Sequence, residues 1–291
     1  MSARRPLLAM LAAAACGVLI ANLIADGGER TNAEPAPAGA VLAAAKPAPR
    51  ALPRPRRDAF LAFTQTSRRP GNVLMRTGVA GRSTEGRPIR LRQLGDPAID
   101  RGVHLFGCIH GDECAARDLL PLTNGCPDPH SNIFIVRNLN PDGAVLDSRL
   151  NSRGVDLNRN FPSGWKPIGS RGDSQYSGPR PFSEPEARLA SRIVRRLEPA
   201  ATIWFHQHRG ERPFVRAWGQ SAPLARRFAH LARMPFHLLP WPAGTAPNWQ
   251  NHRFPGTSSF VVELPQGALG HDIESRLAKA VVRLGRRVGE D

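Results

Sequence analysis

The sequence predicts an α/β domain built on a mixed, largely parallel central sheet flanked by helices. Three observations predict it. Short apolar runs that read as buried strands alternate with helical segments from Val103 to the C-terminus. Three of these runs end in ionisable side chains, at His110 and Glu113, at His206 and at Glu263, as strands of an open α/β sheet do where they meet a crevice. The folded part, roughly 220 residues, is a comfortable size for one such domain.

Taken in order, Arg4 and Arg5 precede an apolar run from Pro6 to Ala25 interrupted only by Asn22. That is a charged n-region and an h-region, so residues 1–25 read as a signal peptide or, through residues 6–25, an uncleaved membrane anchor. The expected location is extracytoplasmic: secreted, periplasmic or anchored facing outward. Residues 26–57 are rich in Ala, Pro and Arg ("KPAPRALPRPRR") and read as a linker. The folded domain is expected over residues 58–291.

Within it, "NVLMRTGVAGRSTEGRPIRLRQLG" holds two alternating runs split by turn residues and reads as a hairpin. Val103–Ile109 is a buried strand and Glu113–Leu122 a short helix. "NIFIVRNLN" is a second strand, closed by the turn cluster Asn140-Pro141-Asp142-Gly143. Residues 144–182 are loop-rich. Ser183 and Glu186 have capping-box spacing and predict a helix reaching about Leu197. "ATIWFHQH" is a third strand, Ala222–Ala232 a helix, "SSFVVELP" a fourth strand and "DIESRLAKAVVRLGRRV" a closing amphipathic helix.

The net charge of +16 comes almost wholly from arginine, the only lysines being Lys46, Lys166 and Lys279. The arginines are scattered and form no nucleic-acid motif, so a nucleic-acid partner is not expected. A basic surface does suit anionic surroundings such as a cell envelope. Of the four cysteines, Cys16 lies in the leader, and an exported chain favours a disulfide. Cys114 with Cys126 is the expected pair, with Cys108 a buried free thiol. There is no CxxC pair and hence no Cys-rich zinc site.

The strand ends can deliver two imidazoles and two carboxylates to one crevice. Two His and one Glu with an open fourth position make a catalytic zinc site, and the remaining carboxylate can then work on the metal-bound water.

"HGDE" at 110–113, "NPDG" at 140–143, "RGVDLNRNFP" at 153–162, a strand ending in His206 and "FVVELP" around Glu263 occur in the order found in M14-type zinc carboxypeptidases. From about residue 72 to 290 the chain resembles that family. The resemblance implies one Zn2+ held by His110, Glu113 and His206. His208 is the rival third ligand, since residues two apart on a strand share a face. It implies Glu263 as the general base that activates the zinc-bound water. Arg149 would steady the oxyanion, with Arg153 the nearby alternative. Asn158 and Arg159 would grip the substrate's free carboxylate, and Asp156 would orient His110. One departure stands out. The digestive members carry a mobile tyrosine before the catalytic glutamate, whereas the single tyrosine here, Tyr176, lies elsewhere. Trp249, His252 and Arg253 occupy the corresponding stretch, with His252 a candidate donor.

The short domain looks more like the compact bacterial murein peptide amidases, which cut the γ-D-glutamyl–diaminopimelate bond of cell-wall stem peptides. The expected partner is therefore a wall-derived peptide. An exported general metallocarboxypeptidase that removes C-terminal residues is the alternative. An inactive cell-wall-binding protein with the same fold is the alternative of another class.

Overall fold

The computed structural model describes residues 63–69, 73–119 and 128–290. The expected leader, linker and Cys126 lie outside the described residues. Among the described residues nine strands form one mixed sheet: β1 Phe63–Arg69, β2 Val73–Arg82, β3 Pro88–Gly95, β4 Val103–Phe106, β5 Asn132–Val136, β6 Ala201–His208, β7 Phe214–Ala217, β8 Phe236–Leu238 and β9 Ser258–Pro265. Their spatial order is β1-β2-β3-β5-β4-β6-β9-β7-β8. The centre, β5-β4-β6-β9, is parallel, and antiparallel strands flank it on both sides. The expected class, mixed and parallel in the middle, is what the molecule adopts.

The parallel strands are buried along nearly their whole length, as parallel strands covered on both faces must be. The helices that cover them are α1 Ala116–Leu119, α2 Pro141–Val145, α3 Pro185–Leu197, α4 Ala222–Ala232, α5 Ala246–Arg253 and α6 His271–Glu290. Side chains alternate between two cores. Leu105, Ile203, Phe205, Phe260 and Val262 pack with Phe228 of α4 and Leu277, Val281 and Leu284 of α6. Phe106, Trp204 and Val261 point the other way, onto Ile193 of α3, Trp249 of α5 and Phe161 of the long loop. Trp204 stacks on Phe106 at 4.3 Å between ring centroids. By the same alternation His206 and Glu263 continue the Trp204 and Val261 face, where the loop 144–182 lies.

Several local expectations need correction. The β4 strand stops at Phe106 rather than Ile109, because Cys108 takes a positive φ of 48° and turns the chain out of the ladder. The helix expected over 113–122 is described only as the single turn α1, and residues 120–127 lie outside the description. The "NPDG" cluster starts a helix instead of a simple turn: Asn140 Oδ1 accepts from Gly143 N (2.9 Å) and Pro141 occupies the first turn. No capping box forms at Ser183. The N-cap of α3 is Glu184, and Glu186 is spent on the backbone N–H of Thr84 at 2.8 Å, tying α3 to the β2–β3 turn. The disulfide joins Cys108 to Cys114, so Cys108 is not a free thiol and Cys114 is not left for Cys126. The turn at Cys108 causes this, bringing the two Cα atoms to 4.7 Å, within disulfide reach. The β1, β7 and β8 strands and the α5 helix were not anticipated.

Candidate metal centre and active site

The "HGDE" segment leaves β4 and packs directly on the α2 turn. A Cβ on Gly111 would overlap the backbone of Gly143, so the two motifs meet only because Gly111 lacks a side chain. The disulfide brackets the loop that carries His110 and Glu113. Across the sheet, the ladder register places His206 of β6 opposite Glu263 of β9.

These elements bring three donors together. His110 Nδ1 lies 2.9 Å from Glu113 Oε1, and His206 Nδ1 lies 2.8 Å from Glu113 Oε2. The two Nδ1 atoms are 3.2 Å apart. The three residues offer ligand atoms all within 4.8 Å of one another. Two imidazole nitrogens aimed at each other with a carboxylate between them want a shared cation. The set, two His and one Glu open on one side, is the donor chemistry of a catalytic zinc ion.

A layer of partners fixes these ligands. Asp156, wholly buried, faces His110 Nε2 at 3.1 Å; a carboxylate accepts, so this ring nitrogen donates, and it is Nδ1 that offers a lone pair once the ring is neutral. Asp156 also accepts from Asn158 N (2.8 Å) and from Arg149 Nη2 (2.9 Å). Burial alone would raise its pKa, but His110, followed by Arg149, holds it well below the usual carboxylate range. Glu113 is held low in the same way by His110 and His206 against its burial. For His110, burial pulls downward, yet Asp156 and then Glu113 push the ring up to about 9.

Arg149 reaches over this layer, with Nη1 3.1 Å from Glu113 Oε1. Asn158 sits in a single 3-10 turn, Leu157–Arg159, capped by Asp156. Its Nδ2 lies 3.3 Å from His206 Nε2 while its Oδ1 accepts from Ala246 N. Arg159 donates to Asn158 O (2.9 Å) and to Gln175. One cavity of about 250 Å3 is lined by His110, Glu113, Arg149, Asn158, Arg159, His206 and Glu263. So the structure brings the expected ligands, base and substrate-binding residues to one cavity, with Asp156 bonded to His110 and Arg149 of its lining.

The alternative residues are engaged otherwise. His208 edges the cavity, but its ring is engaged by Arg212 O and Gly210 N. Arg153 is half exposed, 3.9 Å from Glu184. Trp249 is a core residue packed among Phe161, Phe182 and Phe254, and His252 is exposed with its Nδ1 against Asn248 O. Neither lines the cavity. That wall is Trp241, Pro242, Thr245 and Pro247, joined by Arg216 of β7. Arg216 and Trp241 escaped the sequence reading. The alternation of "FVRA", which begins six residues after the His206 strand ends, was the one available signal.

Comparison with known proteins finds similar sequences and folds. The family model described as zinc carboxypeptidase (Peptidase_M14) matches residues 129–233. Murein peptide amidase A of Escherichia coli K12 is 33% identical over 149 residues, covering 43% of this chain and 57% of the relative. Carboxypeptidase B of Astacus astacus is 30% identical over 176 residues, 50% of this chain and 57% of the relative. The chain thus spans 57% of the length of the first curated relatives it matches. Among solved structures, murein-tripeptide amidase MpaA of E. coli O157 superposes with a TM-score of 0.56 at 25% identity, covering 81% of this chain and 96% of that one. Carboxypeptidase A of Helicoverpa armigera superposes at 0.60 with 19% identity, over 74% of this chain and 68% of that one, a likeness of fold. The resemblance to zinc carboxypeptidases and murein peptide amidases is borne out, with "RGVDLNRNFP" and His206 inside the matched residues.

Proposed function

We propose, from a chain similar to zinc carboxypeptidases in sequence and fold, that the protein is a zinc-dependent hydrolase. Its target is a peptide or amide bond beside a free carboxylate, and its substrates are peptidoglycan stem peptides cut between γ-D-glutamate and diaminopimelate. The carrying observation is the His206–Glu263 register, which sets a free carboxylate beside the His–Glu–His donor set within one cavity. The similarity to murein peptide amidase A supports the substrate.

His110, Glu113 and His206 would hold the zinc ion, which when bound supplies a Lewis acid that acidifies water and polarises a carbonyl. Glu263 accepts a proton from the attacking water on its carboxylate as the water oxygen bonds to the carbonyl carbon. It returns that proton to the departing nitrogen as the C–N bond breaks, giving a carboxylic acid and an amine, which then exchange the acid's proton to leave a carboxylate and an ammonium. Arg149, fixed by Asp156, offers positive charge where the carbonyl oxygen gains negative charge. Asn158 and Arg159 orient the free carboxylate of the residue released; a planar guanidinium matches a carboxylate bidentately. Location outside the cytoplasm is part of the proposal. The leader-like residues 1–25 and the Cys108–Cys114 disulfide support it.

The test is bound-metal analysis paired with two substrates, L-Ala-γ-D-Glu-diaminopimelate and a plain acyl-dipeptide. About one zinc per chain and preferred cleavage of the tripeptide are expected. Preference for the acyl-dipeptide would favour a general carboxypeptidase, and zinc binding with no hydrolysis a wall-binding protein.

A further inference from the structure

The cleft holds a cation that the reaction above does not use. Arg216 stands opposite Val261 in the antiparallel β7–β9 ladder, two residues along from the Phe214–Glu263 pair. Register partners share a face, so Arg216 projects to the same side as Glu263. It lines the cavity with Asn158 and Arg159. Its guanidinium lies 5.4 Å from the Trp241 ring centroid and donates through Nη2 to Pro240 O at 3.1 Å. Its Nε is buried and has no hydrogen-bond partner.

This arrangement is costly without a ligand. An unpaired buried N–H of a charged group carries a desolvation penalty. Glu263 and Arg159 both act on Arg216 electrostatically, one attracting and the other repelling. Two guanidiniums facing one small cavity repel unless an anion enters it. The Trp241 ring and the Pro240 carbonyl also fix the direction in which Arg216 points. The Trp241 loop itself is pinned to the Arg159 turn: Phe161 N donates to Gly244 O (2.9 Å), and Gly244 has φ 70° with no room for a Cβ against Arg159 O. Arg159 and Arg216 are thus held at two sides of one cavity, a built receptor for two negative charges.

We infer that Arg216 is a specificity-determining residue that binds a second carboxylate, carried on the side chain of the residue released. This rests on the function proposed above and narrows its substrate to a residue with a carboxylate at each end. Asn158 and Arg159 take the carboxylate beside the cleaved bond, and Arg216 takes the distal one. Diaminopimelate has this form, and lysine in its place lacks only the distal carboxylate.

The experiment uses the zinc-loaded full chain with L-Ala-γ-D-Glu-diaminopimelate and L-Ala-γ-D-Glu-L-Lys. Wild type should favour the first by tenfold or more in kcat/KM. Arg216→Met should bring that ratio close to one, through KM and with little change in kcat, and Arg216→Lys should restore part of it. Calorimetry with free diaminopimelate and free lysine gives a readout apart from turnover, and only wild type and Arg216→Lys should distinguish the two. Equal loss on both tripeptides, or a fall in kcat with the ratio intact, would overturn the proposal in favour of a structural role or an effect on Glu263. Failure of the wall-peptide reading looks different: wild type then cleaves neither tripeptide but does cleave acyl-dipeptides. Arg216 is in that case judged on acyl-dipeptides ending in glutamate against glutamine, where an unchanged ratio in Arg216→Met overturns it too.

Discussion

His206 and Glu263 are register partners on adjacent parallel strands, so a would-be metal ligand and a free carboxylate stand side by side on one face of the sheet. Strands in a sheet run about 4.8 Å apart, which fixes this spacing by backbone hydrogen bonds rather than by loop conformation. A base that must reach water beside a metal, without itself ligating, is well served by such a mount.

Glu263→Gln therefore separates binding from chemistry. The amide keeps the shape of the side chain but cannot take a proton. The variant should retain its zinc in a metal assay and lose about 10²–10⁴-fold in kcat. Loss of zinc together with activity would instead make Glu263 a ligand.

Metal uptake should release protons. Without metal, Asp156 and Glu113 push His110 up to about 9, so at neutral pH the ring is protonated and must surrender a proton to bind an ion. Because the metal-free protein holds that proton below about pH 9, apparent zinc affinity should rise with pH until then. Calorimetric titration of the metal-free protein in buffers of different ionisation enthalpy measures the release directly. Asp156→Asn should weaken zinc binding by about 10–100-fold and shrink the proton release, since it removes the main charge holding the proton on His110.

Much of this was legible in the chain itself. The continuous apolar runs of β4, β5, β6 and β9 declare buried strands, and the polar residues that end them stand where crevice residues should. What stayed hidden depended on tertiary context. The α5 helix, "APNWQNHR", has buried and exposed residues without helical periodicity, because it is wedged between Phe161 and β9 rather than laid on a surface. Trp249 and Trp241 look alike in sequence, yet packing sends the first into the core and the second to the cavity. The partner of Cys114 was set by one backbone angle at Cys108, which no side-chain pattern announces.

The Cys108–Cys114 disulfide closes a short loop around two of the three donors. In the chain-entropy model a loop this small contributes about 2 kcal/mol by restricting the unfolded chain. The Cys108→Ser/Cys114→Ser variant should be less stable by about that amount in denaturant titration. It should also bind zinc more weakly, because His110 and Glu113 lose their tether. Unchanged zinc affinity beside lowered stability would show that β4 and the Gly111–Gly143 contact alone hold the loop.

His104 supplies an acid-sensitive weak point well away from the cavity lining. It sits in β4 with both ring nitrogens buried and unpartnered, edge-on to Phe134 at 5.2 Å. Burial pushes its pKa from 6.5 down to about 3 in the folded protein. The unfolded chain takes up a proton near pH 6.5, while the folded one refuses it until about pH 3. Between those values the unfolded state binds more protons, so this residue's share of stability is intact above about pH 6.5 and is lost as pH falls toward 3. His104→Leu fills similar volume with no polar atom to desolvate. It should raise Tm at pH 7, an unpaired buried polar group costing about 1–3 kcal/mol, and flatten the decline of Tm between pH 6.5 and 4. A variant whose Tm falls with acid as steeply as wild type would shift that sensitivity from His104 to the carboxylates around His110.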